Sequence, residues 1–119
     1  MFRESIQRFV DSTEGAQAGL LMDFEGITVE AYSRDDSVCD IETVGAEASV
    51  VVKSIQRAGE MLDVGQMREI SFQSDKLTTL IRILNDNYFV ALTLGPGGNF
   101  GKARYMLRAA APALASELV

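Results

Sequence analysis

The sequence predicts an α/β (α+β) domain in which a five-stranded antiparallel sheet is covered by helices on both faces, in the order α-β-β-α-β-β-β-α. Three observations carry this. Apolar and small residues recur in steps of three and four from Ile41 to Leu62, the period of a long helix with one buried stripe. The segments Met67–Ser74, Leu77–Leu84 and Tyr88–Leu94 follow one another across short polar turns, Ser74-Asp75-Lys76 and Asn85-Asp86-Asn87, as an antiparallel meander does. The last of the three, Tyr88-Phe89-Val90-Ala91-Leu92-Thr93-Leu94, is apolar on both faces and needs cover from both sides, so it belongs at the centre of a three-layer structure.

The elements can be justified in chain order. Phe2, Ile6, Phe9 and Val10 share one helical face, which predicts a first helix over Phe2–Ser12. Ala18–Met22 and Ile27–Ser33 flank Asp23-Phe24-Glu25-Gly26, a turn ending in glycine, and read as a hairpin. Its second strand sets Ile27, Val29 and Ala31 against Thr28, Glu30 and Tyr32, as expected of a half-buried strand near an edge. Arg34–Cys39 is a polar loop, and Asp40 stands where it can cap the helix Ile41–Leu62. In that helix Ile41, Val44, Ala48, Val51, Ile55, Ala58 and Leu62 form the stripe expected to face the core. Beside it runs a small strip of Gly45, Ser49, Val52, Gln56 and Gly59. Each glycine costs a helix about 1 kcal/mol against alanine, so something must approach closely there: either a second helix or the domain's own sheet. The strand at Met67–Ser74 is polar, with Arg68, Glu69, Ser71 and Gln73, as an edge should be. In the final helix, Gly101–Leu118, the expected inward residues are Ala103, Met106, Leu107, Ala110 and Leu114, and Pro112 should kink or interrupt it.

Composition limits function. The chain has 119 residues, 47% of them hydrophobic, which suffices for one core and is short for two domains, so residues 1–119 are read as one domain. A net charge of −6 opposes binding to a phosphate backbone, so nucleic acid is not expected as a partner. No stretch approaches the roughly 20 apolar residues that span a bilayer, and the amphipathic start is unlike a signal peptide. A cytoplasmic protein is expected. A lone Cys39 cannot make an internal disulfide, and the absence of histidine removes the commonest metal ligand and general base; neither a metal nor another cofactor is expected. Asp23, Glu25, Asp35 and Asp36 lack the ordered spacing of a calcium loop. Gly95-Pro96-Gly97-Gly98-Asn99-Phe100-Gly101-Lys102 fails as a phosphate loop, with Pro96 at the first glycine position and Ala103 in place of the hydroxyl residue. Asn99 as a helix cap is the better account. No acid, base or nucleophile cluster marks an enzyme.

The segments Ala18-Gly19-Leu20-Leu21-Met22-Asp23-Phe24-Glu25-Gly26-Ile27, Val44 to Leu62, and Gly97-Gly98-Asn99-Phe100-Gly101-Lys102-Ala103-Arg104-Tyr105, in this element order, resemble the Roadblock/dynein light chain family, and within it the bacterial MglB-like members. The resemblance spans nearly the whole chain. It implies a profilin-like α/β/α sandwich that forms a homodimer by joining two sheets edge to edge, with the long helices antiparallel on one face. It also implies a small Ras-like GTPase as partner, since MglB-like dimers promote GTP hydrolysis by repositioning the GTPase's own groups. On this footing Gly45, Val52, Gly59, Arg68, Ile70 and Phe72 are expected at the dimer interface. Ala46, Ser49, Val50, Lys53, Gln56 and Arg57 are expected on the GTPase platform. Nothing singles out a catalytic arginine among Arg34, Arg57, Arg68 and Arg82. A structural scaffold without effect on a nucleotide cycle, and a small-molecule sensor, are the competing classes.

Overall fold

The structure, a computed structural model, describes residues 2–118. Along the chain run α1 (Phe2–Ser12), β1 (Ala16–Asp23), β2 (Thr28–Ser33), α2 (Ile41–Leu62), β3 (Glu69–Gln73), β4 (Thr78–Ile83), β5 (Tyr88–Leu94) and α3 (Phe100–Ser116). The five strands form one antiparallel sheet in the order β2-β1-β5-β4-β3. β5 lies at its centre and is buried from Phe89 to Leu94, as a strand apolar on both faces requires.

Strand alternation divides the apolar residues into two cores. On one face Leu21, Leu80, Val90 and Leu92 meet Ile6, Phe9 and Val10 of α1 and Ala103, Leu107 and Leu114 of α3. On the other, Leu20, Met22, Ile81 and Phe89 meet Ile41, Ala48 and Val52 of α2. This is the three-layer sandwich expected.

The β1–β2 turn is built by Asp23, whose Oδ1 accepts the backbone N–H groups of Glu25 and Ile27, both at 2.9 Å, while Gly26 supplies φ +87°. β2 is an edge strand, yet its expected alternation fails: Ile27 is 65% and Val29 40% exposed. The cause is a register shift. Leu21 pairs with Glu30 but Met22 pairs with Thr28, so Val29 is an extra residue that breaks the period of two. Ala31 alone of the expected apolar set joins the core.

Further along β2, Tyr32 donates its hydroxyl to Asp11 Oδ1 at 3.1 Å. Removal from water, and then the bond to the Asp11 carboxylate, raise its ionisation above the ordinary tyrosine value of 10.0. A group whose pKa is raised on folding favours the fold while it remains protonated. That contribution is complete below the unfolded value and disappears as pH climbs through the folded one. Asp11→Asn should therefore bring the alkaline absorbance transition of Tyr32 down in pH, which a spectrophotometric titration reads.

Asp40 occupies the N-cap of α2, but its carboxylate accepts from Thr43 Oγ1 at 2.9 Å and caps no backbone N–H. At the other end Asp63 closes the helix in the left-handed region, φ 55° and ψ 43°, where glycine is the unstrained choice. Asp63→Gly is expected to raise stability by up to about 1 kcal/mol, measurable as a higher denaturation midpoint. In α3, Asn99 Oδ1 accepts the Lys102 N–H at 3.1 Å, the expected cap. The helix starts one residue earlier than expected and passes through Pro112 uninterrupted. Ala103, Leu107, Ala111 and Leu114 are its buried line, with Met106 and Ala110 partly covered.

The long helix is turned from its expected orientation. Its buried residues are Ile41, Gly45, Ala48, Ser49, Val52 and Gly59, whereas Val51, Ala58 and Leu62 of the expected core stripe are exposed. At 100° per residue the two lines differ by roughly a fifth of a turn. Sterics enforce the observed setting. A Cβ on Gly45 would run into Leu20 Cδ2 and stand 2.9 Å from Met22 Cε, so only glycine lets the helix axis come this close to β1.

Candidate partner-binding surfaces

Two surfaces of α2 follow from this rotation. The first is the exposed line Ala46, Val50, Lys53 and Arg57, spaced four, three and four residues apart and therefore on one face. Lys53 Nζ reaches Glu25 Oε2 at 3.8 Å, which links the helix to the β1–β2 turn. Both partners are solvated, so the pair contributes little to stability. Val50, 61% exposed, is the apolar centre of the line.

Of the six residues expected on this platform, those four are accessible. Ser49 is 4% exposed and donates its Oγ to Ala46 O at 2.7 Å, a bond that satisfies the hydroxyl inside the fold and removes it from the surface. Gln56 is half-buried on the inward side.

The second surface lies on the opposite flank of α2, toward β3. β3 hydrogen-bonds to β4 alone, so one row of its backbone N–H and C=O groups is unpaired. Between this edge and the helix runs a groove of about 530 Å³ lined by Val44, Ala48, Val51, Phe72, Leu77 and Thr79. Val51 is 41% and Phe72 42% exposed. Of the residues expected at a dimer interface, Phe72 lines this groove, Ile70 is half-buried beside it, and Arg68 is exposed just before β3.

Gly45, Val52 and Gly59 are not available to a partner. Val52 has no exposed surface, Gly45 lies against Leu20 and Met22, and Gly59 against the Met67 side chain. The glycines admit the protomer's own sheet and loop, and the apolar residues Val44 and Val51 take the flank position. Their apolar character was legible in the sequence; their orientation was not.

Among the described residues no group of three or more acidic, cysteine or histidine side chains is gathered as a metal site, and no helix is long and apolar enough to cross a membrane. A five-stranded antiparallel sheet with helices on both faces, in this element order, is the Roadblock and profilin-like fold.

Neither a family model nor a curated protein matches the chain. Among solved structures, MglC from Myxococcus xanthus is 36% identical over 98% of both chains, with a TM-score of 0.70. MglB in a tetrameric arrangement is 18% identical over 95% of this chain and 84% of its own, with a TM-score of 0.83. The gliding protein MglB from Thermus thermophilus, at 17% identity, covers the same shares with the same score. A Roadblock/LC7 domain from Streptomyces avermitilis, 14% identical, covers 94% of this chain and 96% of its own at 0.76. Amoebal profilin IA from Acanthamoeba castellanii shares the fold over the full length of both chains at 9% identity, with a TM-score of 0.65. The chain belongs to the Roadblock/LC7 family, and within it is similar in sequence to MglC.

Proposed function

We propose that this chain acts as a homodimer that binds a small Ras-like GTPase of the MglA kind in the cytoplasm and modulates its GTP hydrolysis or localisation. The likeness to MglC at 36% identity over nearly the whole of both chains carries the reading. In the dimer, a second copy covers the groove between α2 and β3, and the unpaired β3 edges join, which withdraws both apolar surface and free backbone groups from water. The two α2 helices then present their Ala46, Val50, Lys53 and Arg57 lines together. An apolar centre at Val50 with a charged rim suits reversible docking.

Such a dimer acts by preferring one conformation of the GTPase switch regions, and its effect on the nucleotide cycle is limited by that difference in affinity. The test is calorimetry of the dimer against the GTPase loaded with a non-hydrolysable GTP analogue and with GDP. Tighter binding of the GTP form, lost in Val50→Asp, is the expected result; equal or absent binding of both forms would refute it.

One observation favours a second reading, a scaffold that recruits a partner without altering hydrolysis. Of the two cations on the proposed docking line, Lys53 is already engaged by Glu25, so the line offers contact area more than catalytic groups. Complex formation with an unchanged hydrolysis rate would select this reading.

A further inference from the structure

The cleft at the other end of the sheet contains none of the residues of the proposed α2 docking line. It has a volume of about 920 Å³ and lies between the last turns of α2, the connection into β3, the end of β4 and the outer side of α3. Three arginines line it, Arg68, Arg82 and Arg108, and none of their side chains has an ion-pair or hydrogen-bond partner among the described residues. Arg82 is the unusual one. It lies on the α3 face of β4, in register with Val90 on one side and Glu69 on the other. The neighbouring Glu69 carboxylate would be its natural acceptor, but Arg104 of α3 holds both oxygens, at 2.9 and 2.7 Å. Arg82 Nε is consequently shut off from solvent and meets no acceptor.

A buried donor on a charged group left without a partner is costly, and a fold that keeps one there fits a site completed by a ligand. The arginines give the ligand's sign where Arg82 and Arg108 stand together, because Arg108 is the one α3 cation that lines the cleft and Arg104 is already held by Glu69. The rim selects further. Glu60, Asp63 and Asp86 also line the cleft, and they oppose a doubly charged phosphate more than a singly charged carboxylate. A planar guanidinium offers paired N–H donors that match a carboxylate in two parallel bonds.

We propose that this cleft is a docking site for a peptide segment of a partner protein that presents a single carboxylate, one aspartate or glutamate side chain seated on Arg82 and Arg108 with Arg68 at the rim.

The test uses the intact protein and a short fluorescein-labelled glutamate–glycine peptide, followed by anisotropy, with a glutamine–glycine peptide as control. Saturable binding of the glutamate peptide alone is expected, weakened about tenfold or more in Arg108→Ala and in Arg82→Met, and unchanged in Arg8→Ala on α1, which does not line the cleft. Thermal unfolding of Arg82→Met provides an independent readout. Because the substitution removes an unsatisfied buried donor, its Tm should hold or rise; a clear fall would show that the guanidinium is structural and overturn the proposal. Absent binding, equal binding of the control peptide, retained affinity in Arg108→Ala, or displacement by inorganic phosphate at lower concentration than by free glutamate would each overturn it too.

Discussion

Phe89→Ala is expected to lower unfolding stability by about 3 to 5 kcal/mol, the range for deleting a buried aromatic ring from a packed core. Phe89 has no exposed surface, lies on the central strand β5, and stacks on Phe24 with ring centroids 5.9 Å apart and planes 10° from parallel. Its strand neighbours Met22 and Ile83 are held in register by backbone bonds on both sides, so the sheet cannot close over the void. Chemical denaturation should show a large drop in midpoint with an unchanged slope. A loss under about 1.5 kcal/mol would mean that the core collapses around the gap.

Val51→Asp should have the second large effect, this time on association. Val51 lies on the flank of α2 beside Phe72, and a second copy seated in that groove would bury it. A carboxylate there would have to lose its water without a cation to replace it, a cost of several kcal/mol. The dimer should weaken by more than roughly a hundredfold while the folded protomer keeps its stability, because the side chain is already half in solvent. Val50→Asp, about 100° further round the same helix and outside the groove, should leave dimerisation intact. Sedimentation velocity on the unmodified protein and the two variants separates these outcomes.

The contrast between these substitutions marks what could be read in the residues. The central place of β5 was legible because Phe89, Ala91 and Thr93 on one face and Val90, Leu92 and Leu94 on the other leave no solvent side. The limits of α2 were legible from the three- and four-residue recurrence of its apolar residues, and the Asn99 cap because a helix start imposes residue types on its own sequence. The rotation of α2 was not. A surface that meets a second copy can be as apolar as a core, so periodicity finds the stripe of Val44, Val51 and Leu62 without saying what lies opposite it. Gly45 was equally ambiguous, because a close approach from a helix and from a sheet demand the same missing Cβ.

Two smaller differences have similar roots. The extra residue at Val29 leaves no trace in composition, since a bulge changes pairing and not residue preference. Ser49 was expected on the GTPase platform from the family resemblance, but its hydroxyl bonds a carbonyl of its own helix and can be buried at little cost. Val50 and Arg57 are exposed, since any helix against a sheet must leave one face to water.

The functional reading requires that two copies associate across α2 and β3, and sedimentation equilibrium of the unmodified protein at tens of micromolar tests this most directly. A single species of twice the 13.0 kDa chain mass is predicted. A species of 13.0 kDa that persists as concentration rises would contradict it, because the groove and the free strand edge would then face water in the working protein.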